Sequence, residues 1–361
     1  MSSKVLGGVE QVFLDYNEAL NLKNHEVYAF YNKFGKIKIK LKTLKNVKYI
    51  PTLFIKPYFI FLPYLLLKIF LIKPDIIIVQ SRKVISLFSF IGKILKIPVI
   101  LVCHNPKTSL INKADYIFSI TQNQKDIFVK NGVSENKIFV IPNIIPFKLP
   151  FKEINSFSKP PIFGIIGRFD PMKGFPTFIQ ACSKLNNKGI DFSAKIGGTP
   201  QRQYIAEYKR IKYLINYYRL QDKVELIGWI DKKNNFYDNI DIFILPSREE
   251  PFGLVLLEAM MYSKPIISSN ASGPSEIFNN QDSALMFDAG NTEDLAEKME
   301  EMLNNFEMAK KMAKNGYNLV NSKYTLDRIA IQIDNAIIKI KNGEIKWNYQ
   351  KQKVKLPLTK N

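Results

Sequence analysis

Short apolar runs alternate with stretches of helical spacing along almost the whole chain, and that alternation stops once and then restarts. Residues 25–30 (HEVYAF), 74–80 (PDIIIVQ), 97–104 (IPVILVCH), 114–120 (ADYIFSI) and 137–143 (KIFVIPN) read as strands, with helical spacing over 8–23 and 83–96. Near-continuous Val, Ile and Leu in a strand points to burial on both faces. A parallel sheet has that burial, because crossover helices cover both its sides. Residues 144–161 then hold four prolines and little periodicity, and read as a linker. Beyond it, strands at 161–167, 191–198, 223–228, 240–246, 264–269 and 284–287 alternate with helical stretches such as 176–189 and 202–220. A run of helices between residues 292 and 341 closes the pattern. The expected class is α/β, with two doubly wound, Rossmann-like domains facing a central cleft. Their bounds are expected at 1–148 and 161–325, joined by a linker over 149–160 and followed by a C-terminal helix and basic tail over 326–361.

Composition narrows the setting. Cys103 and Cys182 stand alone, so neither a disulfide framework nor a cysteine metal site is expected, and a reducing cytoplasm fits. The opening MSSKVLGGVEQ has no apolar core of the signal-peptide kind. The most apolar region, residues 54–80, is broken by Lys56, Lys68 and Lys73 and by Pro57, Pro63 and Pro74. It falls short of the ~20 uninterrupted apolar residues of a spanning helix, and reads as a buried helix followed by a strand. The formal net charge is +20, and residues 1–150 carry 22 Lys and Arg against 8 Asp and Glu. Such a balance fits an anionic neighbour: lipid headgroups, phosphate or nucleic acid. The lysine bias of AT-rich coding accounts for it equally well.

Ligands of open parallel sheets bind beyond the carboxyl ends of the strands, so chemistry should follow strands directly. The strand at 240–246 runs into Arg248-Glu249-Glu250-Pro251-Phe252-Gly253, and helical composition starts at Leu254. The free N–H groups of that helix start favour an anion, and Gly253 lets a ligand approach the backbone. Glu250 before the start and Glu258 in the second turn would repel a phosphate but accept hydrogen bonds from hydroxyl-bearing rings on either side of one. A phosphate flanked by two such rings is a sugar nucleotide. The competing reading is an acidic first turn that only complements the helix dipole. Arg168 and Lys173 follow the first strand of the second half, and a planar fork of donors with a compact cation suits a diphosphate. Gly7 and Gly8 open the first helix and permit close approach of a ligand, or form only a turn. His104 ends the strand at 97–104, as a substrate contact or as a structural histidine; His25 is assigned nothing. No G-x-G-x-x-G occurs, so a nicotinamide or flavin dehydrogenase lacks support. No Asp-rich metal motif is present either.

Together these residues resemble the GT-B retaining glycosyltransferases of the glycosyl transferases group 1, GT4-like, family. The resemblance rests on GGVE (7–10), KPDIIIVQS (73–81), VCHN (102–105), VIPN (140–143), GRFDPMKG (167–174), ILPSREEPFGLVLLEAM (244–260), KPIISS (264–269) and SGPSEI (272–277). Glu250 and Glu258 match that family's E-x7-E signature. The resemblance implies transfer of a sugar from a nucleotide-diphosphate-sugar to an acceptor hydroxyl with retention, in bacterial surface polysaccharide or glycolipid synthesis. It implies that Arg168 and Lys173 bind the donor diphosphate with the N–H groups around Gly253 and Leu254. Glu250 would contact the donor sugar, Glu258 the ribose, His104 the transferred sugar, and Gly7 and Gly8 would line the cleft. No cofactor or metal is expected. The partners expected are the donor, a glycan or lipid-linked acceptor and an anionic membrane surface, with no nucleic acid, and a cytoplasmic place on the inner face of the plasma membrane.

The chain departs from the family pattern in three places. MSSKVL stands where relatives carry an apolar strand, so the first strand is expected to be missing. Residues 104–115 are short, and no glycine follows Asn143. Two other readings compete: a nucleotide-sugar epimerase on the same fold, told apart by its product, and a non-catalytic basic protein binding membrane or nucleic acid, told apart by salt-sensitive binding without sugar-nucleotide turnover.

Overall fold

The structure is a computed structural model that describes residues 7–54, 58–279 and 282–343. The first half runs α1 (Gly8–Leu22), β1 (Val27–Asn32), β2 (Val47–Thr52), α2 (Leu62–Ile72), β3 (Ile77–Val79), α3 (Ile85–Leu95), β4 (Val99–Cys103), β5 (Tyr116–Ser119), α4 (Gln122–Lys130) and β6 (Ile138–Val140). The second runs β7 (Ile162–Ile166), α5 (Phe175–Asn187), β8 (Ser193–Gly197), α6 (Ile205–Tyr217), β9 (Val224–Gly228), α7 (Lys233–Tyr237), β10 (Ile242–Leu245), α8 (Leu254–Met261), β11 (Ile266–Ser269), α9 (Ser272–Ile277) and β12 (Leu285–Phe287). Three helices follow: α10 (Thr292–Asn304), α11 (Phe306–Lys323) and α12 (Leu326–Lys341).

Every strand pair described is parallel, as near-continuous apolar strands require. The second half forms one sheet in the order β12-β11-β10-β7-β8-β9. The chain therefore winds outward from β7 in one direction and from β10 in the other, so the strand order reverses between these two neighbours. Such a reversal leaves a crevice at the strand ends, because the connections on either side of it diverge to opposite faces.

The first half holds β1-β2 as one pair and β3-β4-β5-β6 as another sheet. A cavity of about 330 Å³ lies between them, lined by Val27–Phe30, Ile76–Val79 and Ile337 among others. Its lining is mixed, with Asn17, Glu26, Asp75 and Gln80 beside the apolar residues, and it lies away from the charged loops of the second half. Residues 1–6 and the basic tail lie outside the described residues, and so does the expectation of a missing first strand.

Two segments behave differently from their sequence reading. The helix within 54–80 is not buried. Leu65 and Ile69 are covered, whereas Leu67, Phe70 and Leu71 are exposed. A helix apolar all round shows no face in its periodicity, and α2 lies at the periphery, where only the stripe against α3 meets the core. The proline-rich linker is fastened to the second half: the Tyr317 hydroxyl donates to Leu149 O at 2.7 Å, and Ser158 N donates to Asp241 Oδ1 at 3.1 Å. The last helix returns to the first half, where Ile329, Ile333 and Ile337 pack with Val12, Tyr16 and Ile100. The two crossings run side by side, with Ile145 N donating to Tyr324 O at 2.9 Å.

Candidate functional site

The loops after β7 and β10, the two strands at the reversal, are fastened to each other. Arg248 N donates to Met172 O at 2.8 Å. Gly174 has φ +69°, and a Cβ there would overlap the Pro246 carbonyl, so glycine alone lets these backbones touch. Phe169 is buried beneath the first loop, against Phe175. The Asp170 carboxylate accepts from Met172 N at 3.1 Å and turns the chain back. A third loop joins through Gly273 N, which donates to Glu250 O at 2.9 Å.

This fastening brings together side chains 77 positions apart: Lys173 Nζ donates to Glu250 Oε2 at 2.6 Å, both largely covered. Arg168, on the same loop, is half exposed. Its guanidinium lies 3.6 Å from Asp170 Oδ2 and over the Tyr204 ring, 6.0 Å from the centroid. Gly253 has φ +104° and ends the loop. Leu256 N bonds back to Gly253 O at 2.9 Å, and among the described residues no acceptor meets the N–H groups of Leu254 or Val255. The positive end of α8 therefore opens beside the Lys173–Glu250 pair.

One turn further along α8, Glu258 Oε2 accepts from Lys233 Nζ at 2.8 Å and lies 3.0 Å from the Tyr237 hydroxyl. Lys233 and Tyr237 come from α7, the helix after β9. Sequence reasoning missed both, as it missed Tyr204. Nothing in local spacing marks them, since they reach the site through the sheet order. Glu258 keeps Oε1 open to a further donor.

The first half meets this site at the start of α1. A Cβ on Gly8 would lie 3.3 Å from Leu254 Cδ1, so two helix starts abut across the halves. The Leu254 side chain packs into the cores of both; only its backbone N–H is left open at the helix start. Gly7 has only Glu10 within reach of a Cβ, at 3.3 Å. Asp15, two turns into α1, is buried, and its Oδ2 has no hydrogen-bond partner. Burial pushes its carboxyl up to about 8; the Glu18 and Glu258 carboxylates add to this, and the hydrogen bond from Gln11 opposes it.

His104 is placed in the first half, beside Arg82 and Gln80. Arg82 is held by Asn105, with Nη1 to Oδ1 at 2.6 Å and Nη2 to the carbonyl at 2.8 Å. Burial, with the Arg82 charge adding to it, holds the imidazole down at about 4; a hydrogen bond with the Gln80 backbone opposes both. His104 is therefore neutral at pH 7. Its Nε2 is buried without a partner, so the Gln80 bond falls to Nδ1 and leaves the Nε2 lone pair covered and unpaired. Among the described residues no three His, Cys, Asp or Glu side chains gather as metal ligands.

The family model for glycosyl transferases group 1 matches residues 147–319, and that for glycosyltransferase family 4 matches residues 6–148. An uncharacterized glycosyltransferase of Methanocaldococcus jannaschii is 30% identical over 237 residues, covering 62% of this chain and 63% of that protein. The capsular polysaccharide biosynthesis glycosyltransferase CapM of Staphylococcus aureus is 25% identical over 244 residues, covering 63% of each. These matches span less than two thirds of either relative's length. The crystal structure of Anabaena HepE in complex with UDP and glucose shares the fold, with a TM-score of 0.80 and 17% identity over 94% of this chain and 98% of that one.

Proposed function

Because the chain belongs to the glycosyl transferases group 1 family and has the GT-B fold, we propose that it moves a sugar from a nucleotide-diphosphate-sugar to an acceptor hydroxyl, with retention at the anomeric carbon. The observation that carries this reading is the open start of α8 between two carboxylates, each already gripped by a lysine on one oxygen. An acidic first turn that merely complements a dipole needs no such grip and no second carboxylate a turn away.

In this reading the diphosphate sits on the N–H groups of Leu254 and Val255, with Arg168 and Lys173 over it. An ammonium has three donors, so Lys173 keeps Glu250 on one and reaches the diphosphate with the others. Glu250, oriented by Lys173, accepts from the hydroxyls of the donor sugar. Glu258, oriented by Lys233 and Tyr237, accepts from the ribose. Neutral His104 contacts the transferred sugar. As the glycosidic bond breaks, negative charge grows on the leaving diphosphate, and fixed cations and N–H dipoles stabilise it without reorganising. Positive character on the sugar ring is met by Glu250. The two cations supply the charge that a divalent metal supplies elsewhere, so the reaction runs without one. The acceptor is a glycan or lipid-linked hydroxyl of bacterial surface polysaccharide or glycolipid synthesis, which the likeness to the capsular enzyme supports.

A thermal-shift panel of sugar nucleotides and bare nucleoside diphosphates tests the donor, since a ligand of the folded state alone raises Tm by mass action. The expected result is a shift with one nucleoside series, followed by release of nucleoside diphosphate when acceptor extracts are added. No shift across the panel overturns the reading. Conversion of the sugar nucleotide without acceptor assigns an epimerase instead.

A further inference from the structure

Between Glu26 and Asp115 the chain carries one acidic residue, Asp75, among sixteen lysines and arginines. Lysine-rich coding raises the lysine count everywhere but does not remove carboxylates from one stretch. The same stretch exposes apolar side chains. On α2 and the turn before it, Phe59, Ile60, Leu67, Phe70 and Leu71 all stand in solvent, Leu71 at 64%. Leu67 and Leu71, four positions apart on α2, stand opposite the buried Leu65 and Ile69 and form an outward ridge, and Phe59 and Ile60 are exposed on the turn that leads into it.

A second exposed element lies at the same edge. β1 and β2 are parallel from Val27↔Val47 to Asn32↔Thr52, so the chain leaves both strands on the same side. The exits touch, with Lys33 N donating to Thr52 O at 3.0 Å. After β1 the chain forms a 3-10 turn, Lys36–Lys40, that buries Ile37 and exposes Ile39 at 76% beside Phe34. Lys33, Lys36, Lys38 and Lys40 surround these tips, all exposed and, among the described residues, none in an ion pair. After β2 the chain reaches Phe59 and Ile60.

We propose that this edge of the first half docks on an anionic lipid bilayer, with the α2 ridge and the Phe34 and Ile39 tips in the headgroup boundary and the lysines on the phosphates. Apolar anchors alone would suit many partners. Their place inside a nearly acid-free lysine field suits a surface that is apolar beneath and negative at its face. Lys68 beside the ridge fits, since a lysine lays its stem on apolar surface and keeps its charge at the boundary. Among the described residues no helix is long and apolar enough to cross a membrane, so the contact is in plane.

Sedimentation with vesicles tests this, using phosphatidylcholine alone and phosphatidylcholine mixed with phosphatidylglycerol. The parent should pellet with the mixed vesicles and not with the neutral ones. Binding should fall as salt rises from about 0.1 M to about 1 M, which shortens the Debye length from about 10 Å to about 3 Å. At about fivefold per lysine, Lys38→Gln/Lys40→Gln should lower partitioning roughly 25-fold. Leu67→Ser/Leu71→Ser should also lower it; both sites are exposed, and an unchanged melting curve shows the fold is kept. Lys209→Gln/Lys212→Gln, on exposed α6 of the other half, should change nothing. Equal binding to both vesicle types overturns the proposal, and so does an equal loss in the α6 control. A dimer in solution that Leu67→Ser/Leu71→Ser abolishes, without vesicle binding, assigns the ridge to a second copy of the chain. The assay reads binding without turnover, so its failure leaves the transfer reading standing.

Discussion

Replacing Glu250 with alanine separates a sugar-nucleotide site from an acidic helix start by the sign of its effects. In the parent, Glu250 Oε2 holds Lys173 at 2.6 Å and the pair is largely covered. A bare nucleoside diphosphate makes no use of Glu250. Removing the carboxylate frees a Lys173 donor and lifts a negative charge from beside the phosphates, so the diphosphate should bind the variant as well as the parent or better. The sugar nucleotide loses a charge-assisted hydrogen bond worth about 1.5–3 kcal/mol, on the order of 10- to 150-fold. If that bond strengthens as the ring becomes cationic, the loss falls on kcat and not only on KM. Glu258→Ala should act otherwise. Its partner is the ribose, present in both ligands, so both should weaken by a similar factor. Calorimetry with both ligands on both variants, with turnover in parallel, is the assay. If Glu250→Ala weakens the bare diphosphate as much as the sugar nucleotide, Glu250 is not a sugar contact. If neither variant changes any of these quantities, the two carboxylates serve only the helix.

Arg168→Ala should lower turnover by roughly 10²-fold or more, as loss of an oxyanion donor does, and product analysis after chelation with EDTA should show undiminished transfer; a strict metal requirement would refute the division of charge proposed for Arg168 and Lys173. Stability should depend on pH through two buried groups. Asp15, raised to about 8, prefers the proton in the folded state, so stability is full below its unfolded range near 4 and is lost by up to about 1.4 kcal/mol per pH unit as pH rises to about 8. His104, lowered from 6.5 to about 4, works the other way and costs stability as pH falls below 6.5. Denaturation curves should therefore be nearly flat from about 4 to 6.5 and weaken from 6.5 to 8, and Asp15→Asn should remove the upper slope; a slope unchanged in that variant would show Asp15 ionised at neutral pH. Gly174→Ala should lower Tm by the equivalent of about 2–4 kcal/mol, because φ +69° and the Pro246 carbonyl both exclude a Cβ, and a parent-like melt would show that the two site loops separate freely.

Much of the fold was legible because its signal is local. Each buried parallel strand is an apolar run bounded by breakers, and eleven of the twelve described strands are readable in this way. What escaped were elements whose burial depends on neighbours. β2, in VKYIPT, carries a proline and two exposed positions and reads as a loop until it is paired with β1. α2 is so uniformly apolar that its sequence cannot say which side is covered. The return of α12 to the first half was invisible for the same reason: its stripe of Ile329, Ile333 and Ile337 states that one face is buried but not against what.

The site divides along the same line. Glu250, Gly253, Leu254 and Glu258 lie within one strand-loop-helix unit, so their relation follows from helix geometry alone, and Arg168 and Lys173 follow a strand in the same way. The grip on the carboxylates is non-local. Lys173 reaches Glu250 only because β7 and β10 are neighbours at the reversal of strand order. Lys233 and Tyr237 reach Glu258 from the helix that leads from β9, at the outer edge of the sheet, back to β10 at its centre. A lone carboxylate beside a phosphate position would repel the ligand; one whose charge is met by a lysine can face a hydroxyl without that penalty. The spacing of Glu250 and Glu258 therefore poses an electrostatic problem that local sequence cannot solve, and the doubly wound topology solves it by bringing one lysine from each side of α8.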